Sequence, residues 1–261
     1  MALNPRPFLA GNWKMHTDRD GARQLADAVA ASVGGNVDAD VAFFPPFPFL
    51  AEVAPIAERA GFILGAQDLH HEIEGAFTGE VSGPMLRSVG CTAVLVGHSE
   101  RRHIFGETDE VVARKTRAAL DAGLRPIVCV GETREEREAG ATEATVLRQI
   151  RAALDPIEDT EIAQVTVAYE PVWAIGTGLT ATPDQADEVH ATLRRWLDER
   201  FGAERAGACR ILYGGSVKPG NVAELMSRDG IQGTLVGGAS LDADSFAELV
   251  RQGASAGSTS T

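Results

Sequence analysis

The sequence predicts a single-domain (β/α)8 barrel, eight parallel strands surrounded by helices, on three observations. Short apolar runs recur eight times along 261 residues, with amphipathic stretches between them. The runs are continuously apolar rather than alternating, as strands buried on both faces of a parallel sheet are. Eight strand–helix units of about 32 residues each would fill about 250 residues, the size of such a barrel. A doubly wound sheet shares the alternation, but it usually follows its first strand with a Gly-rich phosphate fingerprint. Here the first run ends in Gly11-Asn12-Trp13-Lys14.

The elements follow in order. Strands are predicted at 7–13, 40–44, 62–67, 92–97, 126–131, 165–170, 210–214 and 233–237. Helices are predicted at 19–32, 48–60, 109–122, 142–154, 183–201 and 219–227. Cap chemistry supports several starts: Thr108-Asp109 supplies capping oxygens, and Thr182-Pro183 and Lys218-Pro219 set Pro near a first turn. Gly61, Gly123 and Gly202 stand where a left-handed residue closes a helix. The barrel is assigned to residues 1–250. Residues 251–261, dominated by Gly, Ser, Ala and Thr, are expected to form a largely disordered tail.

Composition narrows the function. With a net charge of −13, the chain is a poor candidate for gripping nucleic acid or an anionic membrane. No apolar run approaches the length of a membrane span. Residues 1–6 lack the apolar core of a signal peptide, so a cytoplasmic protein is expected. Cys91, Cys129 and Cys209 sit in or beside strand-like runs without a CxxC pair, and read as buried thiols of a reducing compartment. Lys14, Lys115 and Lys218 are the only lysines among 24 basic residues. In an arginine-using chain, a retained Lys suggests a need for a compact point charge.

In a parallel barrel, functional residues collect at the C-terminal strand ends. Strand one delivers Asn12 and Lys14 there, strand four His98, and strand six Glu170. Strands seven and eight deliver the turns Gly214-Gly215-Ser216 and Gly237-Gly238. One cation, one imidazole, one carboxylate and two Gly-rich turns suit proton transfer on a small phosphorylated substrate. Taken singly, each has an ordinary alternative: a solvated lysine, a hydrogen-bonded histidine, a surface carboxylate, a tight turn. The pair His70-His71 does not make a metal site, since adjacent residues do not face a common ligand position and no carboxylate set completes it.

The segments 11–15 (Gly-Asn-Trp-Lys-Met), 75–80 (Gly-Ala-Phe-Thr-Gly-Glu), 96–102 (Val-Gly-His-Ser-Glu-Arg-Arg), 129–132 (Cys-Val-Gly-Glu), 168–178, 213–217 (Tyr-Gly-Gly-Ser-Val) and 235–241 (Leu-Val-Gly-Gly-Ala-Ser-Leu) carry a resemblance. In this order, over nearly the whole chain, they resemble the triosephosphate isomerase family. The resemblance implies a cofactor-free and metal-free isomerase. It would interconvert dihydroxyacetone phosphate and glyceraldehyde 3-phosphate through an enediol(ate), in glycolysis and gluconeogenesis.

It also implies roles. Glu170 would be the base and His98 the neutral electrophile and proton shuttle. The helix start at Ser99-Glu100-Arg101 is expected to disfavour the imidazolium. Lys14 would be the fixed cation, supported by Asn12, and Glu100 a second carboxylate paired with Lys14. A Schiff-base role for Lys14, as in barrel aldolases, is the lesser alternative, since Glu170 and His98 already supply the proton chemistry. Asn12 and Lys14, with Gly176, Ser216, Gly237 and Gly238, would hold substrate and phosphate. The run Pro171-Val172-Trp173-Ala174-Ile175-Gly176-Thr177-Gly178 would form a lid, with Glu132 holding it open and Tyr213 holding it closed. Gln67, Phe77 and Thr78 would contribute to a homodimer interface, with Thr78 near the neighbouring subunit's site. Two positions depart from the usual pattern: Asp68, where Asn is common, and Gln232, where Asp is frequent.

Overall fold

The computed structural model describes residues 6–35, 37–175 and 180–257. Eight strands close into a barrel in chain order: β1 (Phe8–Asn12), β2 (Asp40–Phe44), β3 (Ile63–Ala66), β4 (Ala93–Val96), β5 (Arg125–Val130), β6 (Thr166–Tyr169), β7 (Arg210–Tyr213) and β8 (Gly233–Val236). All pairs are parallel. Phe8 pairs with Asp40 on one side and with Gly233 on the other, which closes the ring.

Strand residues alternate between two apolar environments, which is why the sequence shows no polar alternation. Phe8, Ala10, Phe44, Leu95, Ile127 and Leu212 fill the barrel. Leu9, Val94, Val128, Val167 and Ile211 face the helices. The period of two carries function at the upper end. Asn12 continues the inward series Phe8, Ala10, and Glu170 follows inward Ala168 two residues on. At the lower end, Arg210 donates to Asp40 at 2.6 Å and stacks over Phe8.

The helices are α1 (Arg19–Val33), α2 (Leu50–Ala60), α3 (Gly83–Ser88), α4 (Ser99–His103), α5 (Asp109–Asp121), α6 (Arg134–Glu138), α7 (Thr142–Leu154), α8 (Pro183–Phe201), α9 (Ala203–Ala206), α10 (Pro219–Met226) and α11 (Ala243–Gly257). The Thr108 hydroxyl caps α5, and Thr182 with Gln185 forms a reciprocal capping box on α8, as their residue types predict. Helices α3, α4, α6 and α9 are too short for a 3.6-residue period to show.

The C-terminal boundary differs from the sequence expectation. Helix α11 continues through Gly257, so residues 251–257 are helical rather than tail. Small residues are the reason. A Cβ at Gly253 would lie 2.9 Å from the Leu9 side chain, and one at Gly257 would lie 2.4 Å from Pro7. The glycines that weaken the periodicity allow the helix to close on β1. Residues 258–261 lie outside the described residues. No described helix is long and apolar enough to cross a membrane.

Candidate active site

Asn12, Lys14, His98 and Glu170 line one cavity of about 360 Å³ at the C-terminal end of the barrel, together with the turns at 214–218 and 237–239. Lys14 reaches it through left-handed backbone, with φ 53°. That conformation costs a non-glycine residue about 1–2 kcal/mol. Local hydrogen bonds offset it. The Lys14 N–H donates to Asn12 Oδ1 at 3.0 Å. The Gln67 amide donates to the Lys14 carbonyl at 2.7 Å and to the Phe44 carbonyl at 2.8 Å. Lys14 Nζ is then 2.5 Å from Glu100 Oε1.

His98 ends the turn after β4 and caps α4. Gly97 before it has φ 67°, and a Cβ there would meet Arg102 and Val112 within 2.9 Å. His98 Nδ1 accepts the Glu100 N–H at 3.2 Å. A backbone N–H can only donate, so the ring proton sits on Nε2. Nε2 lies 3.0 Å from Glu170 Oε1, and Glu170 Oε2 accepts the Ser99 N–H at 2.8 Å. Both side chains are buried, His98 6% and Glu170 2% exposed.

Burial disfavours the charged form of each, but their mutual contact prevails. The Glu170 carboxylate raises the His98 pKa above its ordinary value, with Glu100 adding to it. His98, the Ser99 N–H and Lys14 lower that of Glu170. The sequence expected the helix start to disfavour imidazolium. The hydrogen bond from the Glu100 N–H does favour neutral Nδ1, whereas the adjacent carboxylate outweighs burial and shifts His98 upward.

Around the cavity, Glu132 is fully buried, and its Oε1 accepts from Tyr169 Oη, Trp173 Nε1 and Arg137 at 2.9–3.1 Å. The Arg137 guanidinium also stacks on the Trp173 ring at 4.6 Å. This ties the short turn Val172–Ala174 to the barrel rim. The Tyr213 hydroxyl is buried beside the backbone of Ala181. Gly176, Thr177 and Gly178 lie outside the described residues, so the segment expected to form a lid is described only from Pro171 to Ile175. Ser216, Gly237 and Gly238 line the same cavity as Glu170 and His98.

The connection after β3 projects from the barrel. Phe77 is 43% exposed and packs on His70 at 4.2 Å, and Thr78 is exposed. Gln67, expected at an interface, uses both side-chain hydrogens inside the chain, on Lys14 and Phe44. His70 and His71 stack at 4.4 Å.

A family model described as triosephosphate isomerase matches residues 7–253. A triosephosphate isomerase of Moorella thermoacetica is 54% identical over 94% of this chain and 98% of its own length. Those of a Roseiflexus species (strain RS-1) and of Chloroflexus aurantiacus are each 52% identical over 94% of this chain, covering 96% and 98% of their own lengths. The chain belongs to the triosephosphate isomerase family.

The two departures from the family pattern have local accounts. Asp68 accepts from Lys115 Nζ at 2.6 and 2.8 Å and from Arg101 at 2.9 Å, and Glu107 accepts from the same two cations. Two carboxylates and two cations thus balance in a buried network beside α4. Burial and Glu107 raise the Asp68 pKa against the pull of Lys115 and Arg101. Gln232 lies at the other end of the barrel, where its Oε1 accepts from the Ile211 N–H and from Arg194, each at 3.0 Å. Four contributors went unread in the sequence: the Ser99 N–H, the Gln67 brace on Lys14, and the cavity residues His16 and Lys218. Only Lys218 left a signal, as one of three lysines and next to the Gly-Gly-Ser turn.

Proposed function

We propose that this triosephosphate isomerase family member interconverts dihydroxyacetone phosphate and D-glyceraldehyde 3-phosphate by proton transfer through an enediol(ate), without a metal or cofactor. One observation carries the reading. A buried carboxylate and the Nε2–H of a buried imidazole lie 3.0 Å apart in the cavity that Lys14 also lines. A carbon acid next to a carbonyl needs both a base at carbon and a donor at oxygen.

In the resting arrangement, Glu170 is held by the Ser99 N–H and by His98. Hydrogen bonds to a carboxylate weaken it as a base. Exchanging them for the substrate's C1–H restores its basicity where a proton must be removed. His98 Nε2–H gives its proton to the C2 oxygen and takes one back from the C1 hydroxyl. Glu170 then returns the carbon proton to C2. Lys14, oriented by Asn12 and paired with Glu100, stabilises the negative oxygen and the phosphate. Backbone N–H groups at Ser216, Gly237 and Gly238, with Gly176, hold the phosphate. Closure of the lid from Pro171 through Gly178 excludes water and suppresses loss of phosphate from the intermediate. Glu132 would hold the open position through Trp173, and Tyr213 the closed one.

The working form is a cytoplasmic homodimer serving glycolysis and gluconeogenesis. Phe77 and Thr78, with Gln67 at their base, form its interface, supported by exposed Met15, Ile73, Met85, Ile104 and Phe105. A coupled assay with glyceraldehyde 3-phosphate in excess chelator tests the reaction. Sustained turnover is expected. No turnover, or turnover only after a metal is added, would overturn the reading.

A further inference from the structure

Of the two lysines that the reaction above leaves unused, Lys115 is buried in the Asp68 network and Lys218 is exposed. Lys218 lines the same cavity as Lys14 and Glu170. Its backbone is fixed. The Lys218 N–H donates to Asn221 Oδ1 at 2.8 Å, and Asn221 Nδ2 donates to the Ser216 carbonyl at 3.0 Å. The side chain therefore leaves a rigid turn, two residues from Ser216. Lys14 and Lys115 are both ion-paired, whereas Lys218 pairs with no carboxylate among the described residues.

The charge balance gives this cation a purpose. With histidines neutral, Lys14 and Glu100 cancel, and Glu170 leaves the site with one net negative charge. The chain around it carries −13. A phosphomonoester brings a further charge of about −1.5 to −2 at pH 7. Among the described residues, Lys218 is the remaining lysine or arginine lining the cavity.

We infer that Lys218 is a substrate-binding residue for the phosphate dianion, drawing it in at the cavity mouth and offsetting the charge of Glu170. The inference rests on the proposed phosphorylated substrate. Lys218 acts in capture rather than in chemistry, because Glu170, His98 and Lys14 already supply the reacting groups of the proposed reaction.

The test compares Lys218→Gln, Lys218→Arg and a remote charge control, exposed Arg195→Gln, with the unaltered protein. Two quantities are measured at about 10 mM and about 300 mM ionic strength: KM for glyceraldehyde 3-phosphate, and the dissociation constant for inorganic phosphate by calorimetry. For Lys218→Gln, both are expected to rise about three- to tenfold at low ionic strength, with kcat little changed. The difference should shrink to less than about twofold at high ionic strength. Lys218→Arg should restore most of the loss, and Arg195→Gln should behave as the unaltered protein. Unchanged KM and phosphate affinity in Lys218→Gln at low salt would overturn the inference. An equal loss in Arg195→Gln would also overturn it, by making the effect one of net charge. An unaltered protein that does not isomerise, yet binds phosphate less tightly after Lys218→Gln, would sink the proposed reaction and leave the Lys218 inference standing.

Discussion

Glu170 has two hydrogen-bond partners in the resting site and, as the proposed base, would need neither for proton transfer from carbon. Its reach is the property that matters. Shortening it to Asp withdraws the carboxylate by about 1.5 Å, one carbon–carbon bond. A misplacement of about 1 Å can cost about a hundredfold in rate. Glu170→Asp is therefore expected to lower kcat by a hundredfold or more, with KM much less affected and the thermal transition unchanged. Steady-state kinetics in both directions measure this, and near-native kcat would remove Glu170 from the role of base. At this scale the sequence was informative about identity but not about state. Glu170, His98 and Lys14 were legible at strand ends. That Glu170 rests on the Ser99 N–H, and that the carboxylate raises rather than lowers the His98 pKa, depends on side chains from different strands meeting.

At the scale of elements, helix α8 is secured at its start and near its middle. The Thr182 capping box fixes its start. Near its middle, His190 Nδ1–H donates to the Gly230 carbonyl at 2.8 Å, while its ring meets Tyr169 edge-on at 5.9 Å. Nε2 is buried without a hydrogen-bond partner among the described residues. Burial pulls the His190 pKa down from 6.5 to about 4, with the Gly230 bond opposing and Arg194 assisting. The folded state thus refuses a proton that the unfolded chain accepts. Stability from this group is complete above about pH 6.5 and is lost as pH falls toward 4, by about 3 kcal/mol in all. His190→Asn retains an N–H donor at the Nδ1 position and cannot titrate. Urea unfolding at pH 7 and pH 4 should show a smaller acid loss for the variant than for the parent, whatever its stability at pH 7. Parallel losses would refute the assignment. His190 lies on a predicted helix, yet nothing in its spacing marks it as anchoring a turn 40 residues away.

For the whole molecule, the exposure of Phe77, Ile73, Met85, Ile104 and Phe105 supports the proposed association. A charge in that patch should prevent it, because an unpaired carboxylate would be desolvated on docking. Phe77→Asp is expected to sediment as a monomer at micromolar concentration, with reduced turnover and a retained fold by circular dichroism. A persistent dimer would place the interface elsewhere. The acidic exterior is compatible with the proposed anionic substrate, because capture would be local: two lysines and two Gly-rich turns line one cavity within a chain of −13.

The sequence by itself determined the eight-fold alternation, the two-sided burial of each strand and which polar residues stand at the strand ends. These follow from local periodicity and turn chemistry, written in neighbouring residues. Three features needed the tertiary structure: the left-handed Lys14 braced by Gln67, the ion network of Asp68 with Lys115, and the docking of 251–257 onto β1. Each arises from contacts between residues far apart in the chain. Barrel closure alone brings those residues within hydrogen-bond or van der Waals reach, and no one-dimensional pattern encodes the distance between them.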